Sequence, residues 1–305
     1  MRIAIIDLGT NTFNLLVAER DGDHLRIVHS EEVPVFLGKG GIERSTIAAD
    51  AFARGIEALG RHVATARQQG AMRIIGFGTS ALRNARNGND FVRRARETLD
   101  LEITVIPGQE EAALILDGVR LAVPLGRKPA LIMDIGGGSV EFVLATEQAL
   151  LWKHSFELGV TRLRERFPSS DPLAIDEELR LAEHLDRQLA PLWAALEQHQ
   201  PRELVGSAGS FDSLARIISA ERGETLTAEQ NTLSFSSLEF SLLKDRLIRM
   251  PRKERLRVPG LPEHRVDTMA YALITVEQVL GHDIDVIRWS RYALKEGAAW
   301  RMLHT

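Results

Sequence analysis

The segments "IAIIDLGTNTFNLLVA" (residues 3–18) and "ALIMDIGGGSVEFVLA" (residues 130–145) align without a gap, so that Asp134 falls on Asp7, Gly136 on Gly9 and Ser139 on Thr12. An internal repeat constrains a chain more than any single motif does, because two copies of one supersecondary unit need two copies of one scaffold. Each copy is an apolar run that reaches an acidic residue, then a glycine-rich turn, then a second β-type run. The chain has 305 residues, 44% of them hydrophobic, which exceeds the ~100–200 usual for one domain. Two domains that each bury a core are therefore expected.

The rest of the sequence repeats the plan. After the first motif, "FNLLVAERDG" ends at the turn signal Asp21-Gly22, "LRIVHSEEVPVF" suits a third strand, and "STIAADAFARGIEALGRHVATARQQG" has helical spacing behind a Ser/Thr cap. A short buried strand "MRIIGFGT", a helix "FVRRARETL" and a strand "EITVI" complete the half. In the second copy "PALIMDIG", "SVEFVLATEQ" and "LLWKHSFEL" read as strands, residues 158–199 as helical, "ELVGSAG" as a strand, and the remainder as helices. The order βββαβα thus occurs twice, which suits a layered α/β architecture with mixed strand directions in each half. The amphipathic stretch "PGQEEAALILDGVRLAVPLGRKP" places a hinge near residues 120–128, between a domain of residues 1–124 and one of residues 125–292.

Composition excludes several classes. A formal net charge of −4 gives no global attraction to nucleic acid or to an anionic membrane, so an anionic ligand must be held by local donors. The absence of cysteine excludes disulfides, thiolate metal sites and cysteine nucleophiles. The first residues, "MRIAIID", show no secretory leader, and no apolar run reaches the ~18–20 residues of a membrane helix. A cytoplasmic protein without nucleic-acid or membrane partners is expected.

The repeated motif carries chemistry. A glycine-rich turn between two strands lets backbone N–H groups approach an anion with no Cβ in the way. Gly9, Thr10, Asn11 and Thr12 in one copy, and Gly136, Gly137, Gly138 and Ser139 in the other, would face each other as a phosphate cradle. A third glycine-rich turn, with Gly206, Ser207, Gly209 and Ser210, precedes the helical "FDSLARII" and would aim a helix N-terminus at the same cleft. The acids beside the turns would repel phosphate unless a divalent cation lay between, and Asp7, Asp134 and Glu141 offer hard oxygen ligands that suit Mg2+. Against this stands the plain alternative that glycine turns only punctuate β-structure, which three such turns, two of them in register, make hard to sustain.

The segments "IDLGTNTFNLL", "FGTSALRNARN", "VIPGQEEAALI", "MDIGGGSVEFV", "ELGVTRLRERF", "GSAGSFDSLARI" and "RVDTMAYALITVEQVL" resemble, in order and spacing, the exopolyphosphatase/guanosine pentaphosphate phosphatase family of the sugar kinase, actin and heat-shock-chaperone superfamily. The resemblance covers nearly the whole chain and looks like the short, two-domain type, without additional C-terminal helical domains. It implies two ribonuclease-H-like domains that face each other across a cleft, with the last helix, residues 293–305, returning to the first domain. It implies a Mg2+-dependent hydrolase that removes terminal phosphate from polyphosphate or guanosine pentaphosphate, and it leaves a homodimer open. Glu111, the second glutamate of "QEEA", stands at the place of the family's catalytic glutamate, and Asp134 and Glu141 become acids near the metal and the attacking water. From the residues alone, Glu111 or Glu110 is equally well a first-turn glutamate favoured by the helix dipole. Arg83 in "SALRNARN" matches a motif arginine suited to forked phosphate contacts, and Arg265 with Asp267 matches an Arg-x-Asp pair that lines the cleft in relatives. Phe36 and the Ser207-Ala208-Gly209-Ser210 turn depart from the family pattern, where arginine and a Gly-Gly-Thr type of turn are common. Residues 246–257 carry six basic side chains that would suit a polyanion tail, or a solvated loop, and His282-Asp283 is read as structural. Two other readings fit the superfamily: a non-catalytic sensor of guanosine tetraphosphate, to which a base at Glu111 is useless, and an ATP-dependent kinase, which leaves the "QEEA" helix unexplained.

Overall fold

The computed structural model describes residues 1–304. In the first half, β1 (Arg2–Leu8), β2 (Thr12–Asp21) and β3 (His24–Pro34) form an antiparallel meander, and β4 (Arg73–Gly78) and β5 (Glu102–Val105) extend it parallel to β1. The strand order is β3-β2-β1-β4-β5. In the second half β6 (Ala130–Ile135), β7 (Val140–Ala145), β8 (Leu150–Phe156), β9 (Glu203–Ser207), β10 (Thr232–Ser236) and β11 (Val286–Ser290) give β10-β11-β9-β6-β7-β8, the same plan with one antiparallel edge strand added. The repeat seen in the sequence is therefore a repeat of architecture, two ribonuclease-H-like α/β units.

The first unit carries α1 (Ala49–Gln68), α2 (Ser80–Asn84), α3 (Gly88–Leu99) and α4 (Gly108–Ala122). The second carries α5 (Val160–Arg166), α6 (Ile175–Gln188), α7 (Ala190–His199), α8 (Ala208–Glu221), α9 (Ser237–Arg249), α10 (Arg252–Arg255) and α11 (Met269–Leu280), and α12 (Leu294–His304) follows β11. Alternation along β1 explains the layering: Ala4, Ile6 and Leu8 pack with Phe13, Leu59 and Phe91 on one face, while Ile3 and Ile5 face the other. On that second face α4 and α12 lie between the two sheets, with Leu114, Ile115 and Ala298 against Ile3, Ile5 and Leu16 on one side and Ile132 and Val143 on the other. A strand covered on both faces reads as a continuous apolar run, as "IAII" does.

Helices α4 and α12 cross at glycine. A Cβ on Gly118 would strike the Ala293 carbonyl, and one on Gly297 would strike the Leu114 carbonyl. Only a residue without a side chain permits backbones to approach so closely.

Three local expectations are corrected. Strands β10 and β11 lie where helices were expected, each five residues long and flanked by helical sequence. Helix α1 begins at Ala49, so the cap position falls on Ala48, which has no side-chain acceptor, and Thr46, two residues earlier, donates to Asn87 Oδ1 at 3.4 Å. The helical stretch expected over 158–199 is three helices with a non-helical connection at 167–174.

Candidate active site

Asp7 and Asp134 occupy equivalent places, near the carboxyl ends of β1 and β6, the edge at which ligands bind in open α/β sheets. Each strand runs into its glycine turn, and the turns are closed by equivalent hydrogen bonds, Gly9 N–H to the Thr12 carbonyl (3.1 Å) and Gly136 N–H to the Ser139 carbonyl (3.0 Å). The two turns meet across a cavity of about 110 Å3. A Cβ on Gly137 would lie 2.7 Å from the Asn11 carboxamide carbon, and one on Gly138 would lie 2.6 Å from the Thr10 hydroxyl. Thr161 completes the contact by donating to Asn11 Oδ1 at 2.6 Å.

The acids converge on that cavity. Glu111 reaches it from the first turn of α4 and is buried, with Arg83 Nη1 donating to its Oε2 at 2.8 Å. Arg83 also holds the Ile106 carbonyl (3.0 Å) and lies within 3.5 Å of Glu157, so it fixes Glu111 from behind. Glu110 points the other way and pairs with Arg301 on α12. Burial thus separates two glutamates that spacing cannot. Across the β6–β7 pair Asp134 stands opposite Glu141. Ser207 donates to Asp134 Oδ2 (3.1 Å), and Ser155 donates to Glu141 Oε1 (2.7 Å).

Burial dominates the electrostatics. It pushes Asp7 up to about 6, against the pull of Lys295. It pushes Glu141 to about 8, helped by the charge of Asp134. Glu111 and Asp134 are driven well above the carboxylate range by burial and then by neighbouring acids, with Arg83 opposing the shift at Glu111. Six carboxylates (Asp7, Glu32, Glu111, Asp134, Glu141, Asp212) line the cavity with only three cations (Arg265, Arg291, Lys295). An anion can enter such a site only with protons or a cation. Among the described residues no three His, Asp or Glu converge tightly enough to hold a metal by themselves. The donor set still fits Mg2+, which takes one or two carboxylates and fills its other positions with water and phosphate oxygens.

The same fold recurs in proteins of known structure. Residues 16–305 match the model of the Ppx/GppA phosphatase family. The chain belongs to that family. A crystal structure of an exopolyphosphatase from Cytophaga hutchinsonii superposes with a TM-score of 0.97 at 36% identity, covering 100% of this chain and 98% of the other. An Aquifex aeolicus Ppx/GppA family member superposes with a TM-score of 0.80 at 23% identity over 100% of this chain and 98% of its own, which speaks to the fold. A Haemophilus influenzae protein is 26% identical over 304 residues, 98% of this chain and 91% of its own length.

Of the residues expected from sequence, the cavity gathers Asp7, Gly9 to Thr12, Glu111, Asp134, Gly136 to Ser139, Glu141, Gly209 and Arg265. Arg83, Ser207 and Ser210 stand behind this lining, Ser210 with its hydroxyl 3.4 Å from the Ile135 carbonyl. Gly206 is a packing residue, because a Cβ there would enter the Phe211 ring. Asp267 does not join Arg265 in the cavity: it holds Arg252 (2.7 Å) and Arg164 (3.4 Å) outside it. Within the basic stretch Arg246, Arg249, Arg252 and Arg255 are each paired with an acid, which leaves little charge for a polyanion tail. His282 stacks on Trp193 at 4.2 Å.

Sequence reasoning missed Asn14, Glu32, Thr79, Ser80, Asp212, Arg291 and Lys295, which also line the cavity. For Asn14 the signal existed, since in the gapless alignment of the two copies it falls on Glu141. The structure repeats that pairing, with Asp7 opposite Asn14 as Asp134 is opposite Glu141, and Asn14 Nδ2 is 3.3 Å from Asp7 Oδ2. One wall carries two acids and the other an acid and an amide. Nothing in the repeat marks Arg291 and Lys295, which arrive with the α12 entry from the end of the chain.

Proposed function

We propose that the chain hydrolyses the terminal phosphoanhydride of inorganic polyphosphate. The observation that carries this reading is the placement of Glu111, a buried carboxylate held by Arg83 and facing two glycine-rich turns. The 36% identity to a structure described as an exopolyphosphatase supports the choice of substrate. In this mechanism the N–H groups of the paired turns, with Thr10, Thr12 and Ser139, hold the terminal phosphoryl group. Ionised Glu111 takes a proton from a water aligned opposite the scissile bridge. The water oxygen bonds to phosphorus, the bridging P–O bond breaks with its electron pair, and the shortened chain departs as the anion. Asp7, Asp134 and Glu141 would hold Mg2+, which would supply positive charge on the phosphoryl oxygens, favour the ionised state of these acids and, by offsetting the Glu141 and Asp7 charges that raise Glu111, favour the ionised base. We also take residues 1–124 with 293–305, and residues 125–292, as the two bodies that flank the cleft.

The test is phosphate release from long-chain polyphosphate, guanosine pentaphosphate and ATP, measured side by side with Mg2+ and with a chelator. Mg2+-dependent release from polyphosphate is expected. Preference for guanosine pentaphosphate would move the substrate to the nucleotide, and tight binding without any release would favour a sensor.

A further inference from the structure

The cavity holds two carboxylates that the mechanism does not use: Asp212, which accepts from Trp289 Nε1 (2.7 Å) within the second unit, and Glu32. Glu32, on β3 of the first unit, reaches across the cleft to the second. Arg265 Nη2 donates to both of its oxygens, at 3.2 and 3.0 Å, and His264 Nε2 lies 3.1 Å from Oε1. These partners draw Glu32 down to about 2 despite its partial burial. The Arg265 guanidinium in turn rests on the backbone of Gly209, so closely that a Cβ at that position would coincide with it. Gly209 belongs to the first turn of α8, whose N–H groups have no intrahelical partners.

A planar guanidinium, an imidazole and a helix N-terminus form a receptor for a tetrahedral anion as readily as for a carboxylate. The other two cations of the cavity are satisfied within the second unit and α12, Arg291 by the carbonyls of Gln230 and Thr227 and Lys295 by Glu296. Arg265 alone among the three is paired from the opposite wall, by a group that must move if the cleft opens.

We propose that Arg265, His264 and the first turn of α8 form a second anion subsite, for a non-terminal phosphate of the substrate, and that Glu32 occupies it in the closed, ligand-free cleft as an internal competitor. This rests on the polyphosphate reading, since a chain of phosphates provides an anion beyond the one held in the cradle. Substrate that engages Arg265 displaces Glu32, and its apparent affinity is lowered by the fraction of molecules in which Glu32 sits there.

The experiment compares wild type, Glu32→Gln and Glu32→Ala, each alone and combined with Arg265→Met. Calorimetry with long-chain polyphosphate gives Kd, and phosphate release gives KM and kcat. Removal of the competitor should lower Kd and KM by about 3–5-fold, the range of a partly exposed ion pair, with kcat little changed. The gain should vanish in the Arg265→Met background. A rise in Kd would show that Glu32 only clamps the cleft shut, and an unchanged Kd would show that the pair is incidental. Either result overturns the proposal. A wild type that binds polyphosphate without releasing phosphate would sink the hydrolytic reading while leaving the competition legible in Kd, and a wild type that does not bind polyphosphate would overturn both.

Discussion

At the scale of single residues, Glu111 and Glu141 make opposite demands on the protein. Glu111→Gln keeps the shape of the side chain and an acceptor for Arg83 but removes the base, so turnover should fall ~10²–10⁴-fold while Kd for polyphosphate changes little. Unchanged turnover would remove Glu111 from the mechanism. Glu141 pertains to stability as well. Its carboxyl is raised from 4.5 to about 8, so below pH 4.5 folded and unfolded chains both carry the proton and the shift has no effect. Between pH 4.5 and about 8 the unfolded chain loses a proton that the folded chain retains, so stability falls as pH rises through this window. Glu141→Gln cannot ionise and can still accept the Ser155 hydrogen bond. In the presence of chelator its Tm should exceed that of wild type at pH 8 and approach it at pH 5, although its activity is lost. An equal Tm difference at both pH values would show that the burial of this charge is not what costs stability. Which residues enter the cavity was legible in sequence where one repeat dictates both walls. It was not legible for Glu110 against Glu111, which share one helical turn and are told apart by Arg83, which holds Glu111 in the cavity, and by Arg301 on α12, which draws Glu110 away from it.

At the scale of elements, the third turn and the α4–α12 crossing place side chains under opposite constraints. Ala208 opens α8 at φ 60, the left-handed region that suits glycine. Left-handed backbone at a residue with a Cβ costs roughly 1–2 kcal/mol, and glycine gives back part of that in unfolded-state entropy. Ala208→Gly should therefore stabilise by about 0.5–1 kcal/mol in urea unfolding. A loss of stability would mean that the turn is held by packing that the methyl group supplies. Gly297→Ala should do the reverse, because its Cβ meets the Leu114 carbonyl and the helices must separate, at a cost of about 1–3 kcal/mol. A neutral effect would show that the crossing is slack. Sequence revealed α4 and α12 as helices but not their contact, since a glycine within a helical pattern gives no sign of which backbone approaches it. Strands β10 and β11 escaped for a related reason. Five-residue segments such as "TLSFS" and "VIRWS" become strands through pairing with β9 and with each other, partners that lie far away in the chain.

At the scale of the whole molecule the two walls are joined at their rim by groups that can part. Besides Glu32 with Arg265, Glu43 faces Arg162 (3.7 Å) and Arg166 (3.2 Å), Ser80 donates to Glu157 (2.9 Å), and Gly40 N–H donates to Glu165 (2.6 Å). These contacts are mostly half-exposed, and each ion pair of this kind contributes only about 0–1 kcal/mol, so their sum balances closure against opening rather than locking it. Substrate and Mg2+ bind both walls and add differential affinity for the closed form. Salt should separate the two contributions. The screening length falls from about 8 Å at 0.15 M to about 3 Å at 1 M, which weakens the rim pairs but reaches buried contacts much less. In small-angle scattering the ligand-free protein at low salt should show a radius of gyration near the ~19 Å of a compact chain of this length. At 1 M salt that radius should increase, whereas with Mg2+ and a non-hydrolysable polyphosphate analogue it should stay at the low-salt value. Asp7→Ala and Asp134→Ala should each abolish the protection by ligand, because each removes one wall's share of the grip. A ligand-free radius that does not respond to salt would show that the apolar packing of α4 and α12 against Ile132 and Val143 of the second sheet holds the cleft by itself and that the rim charges serve only the substrate.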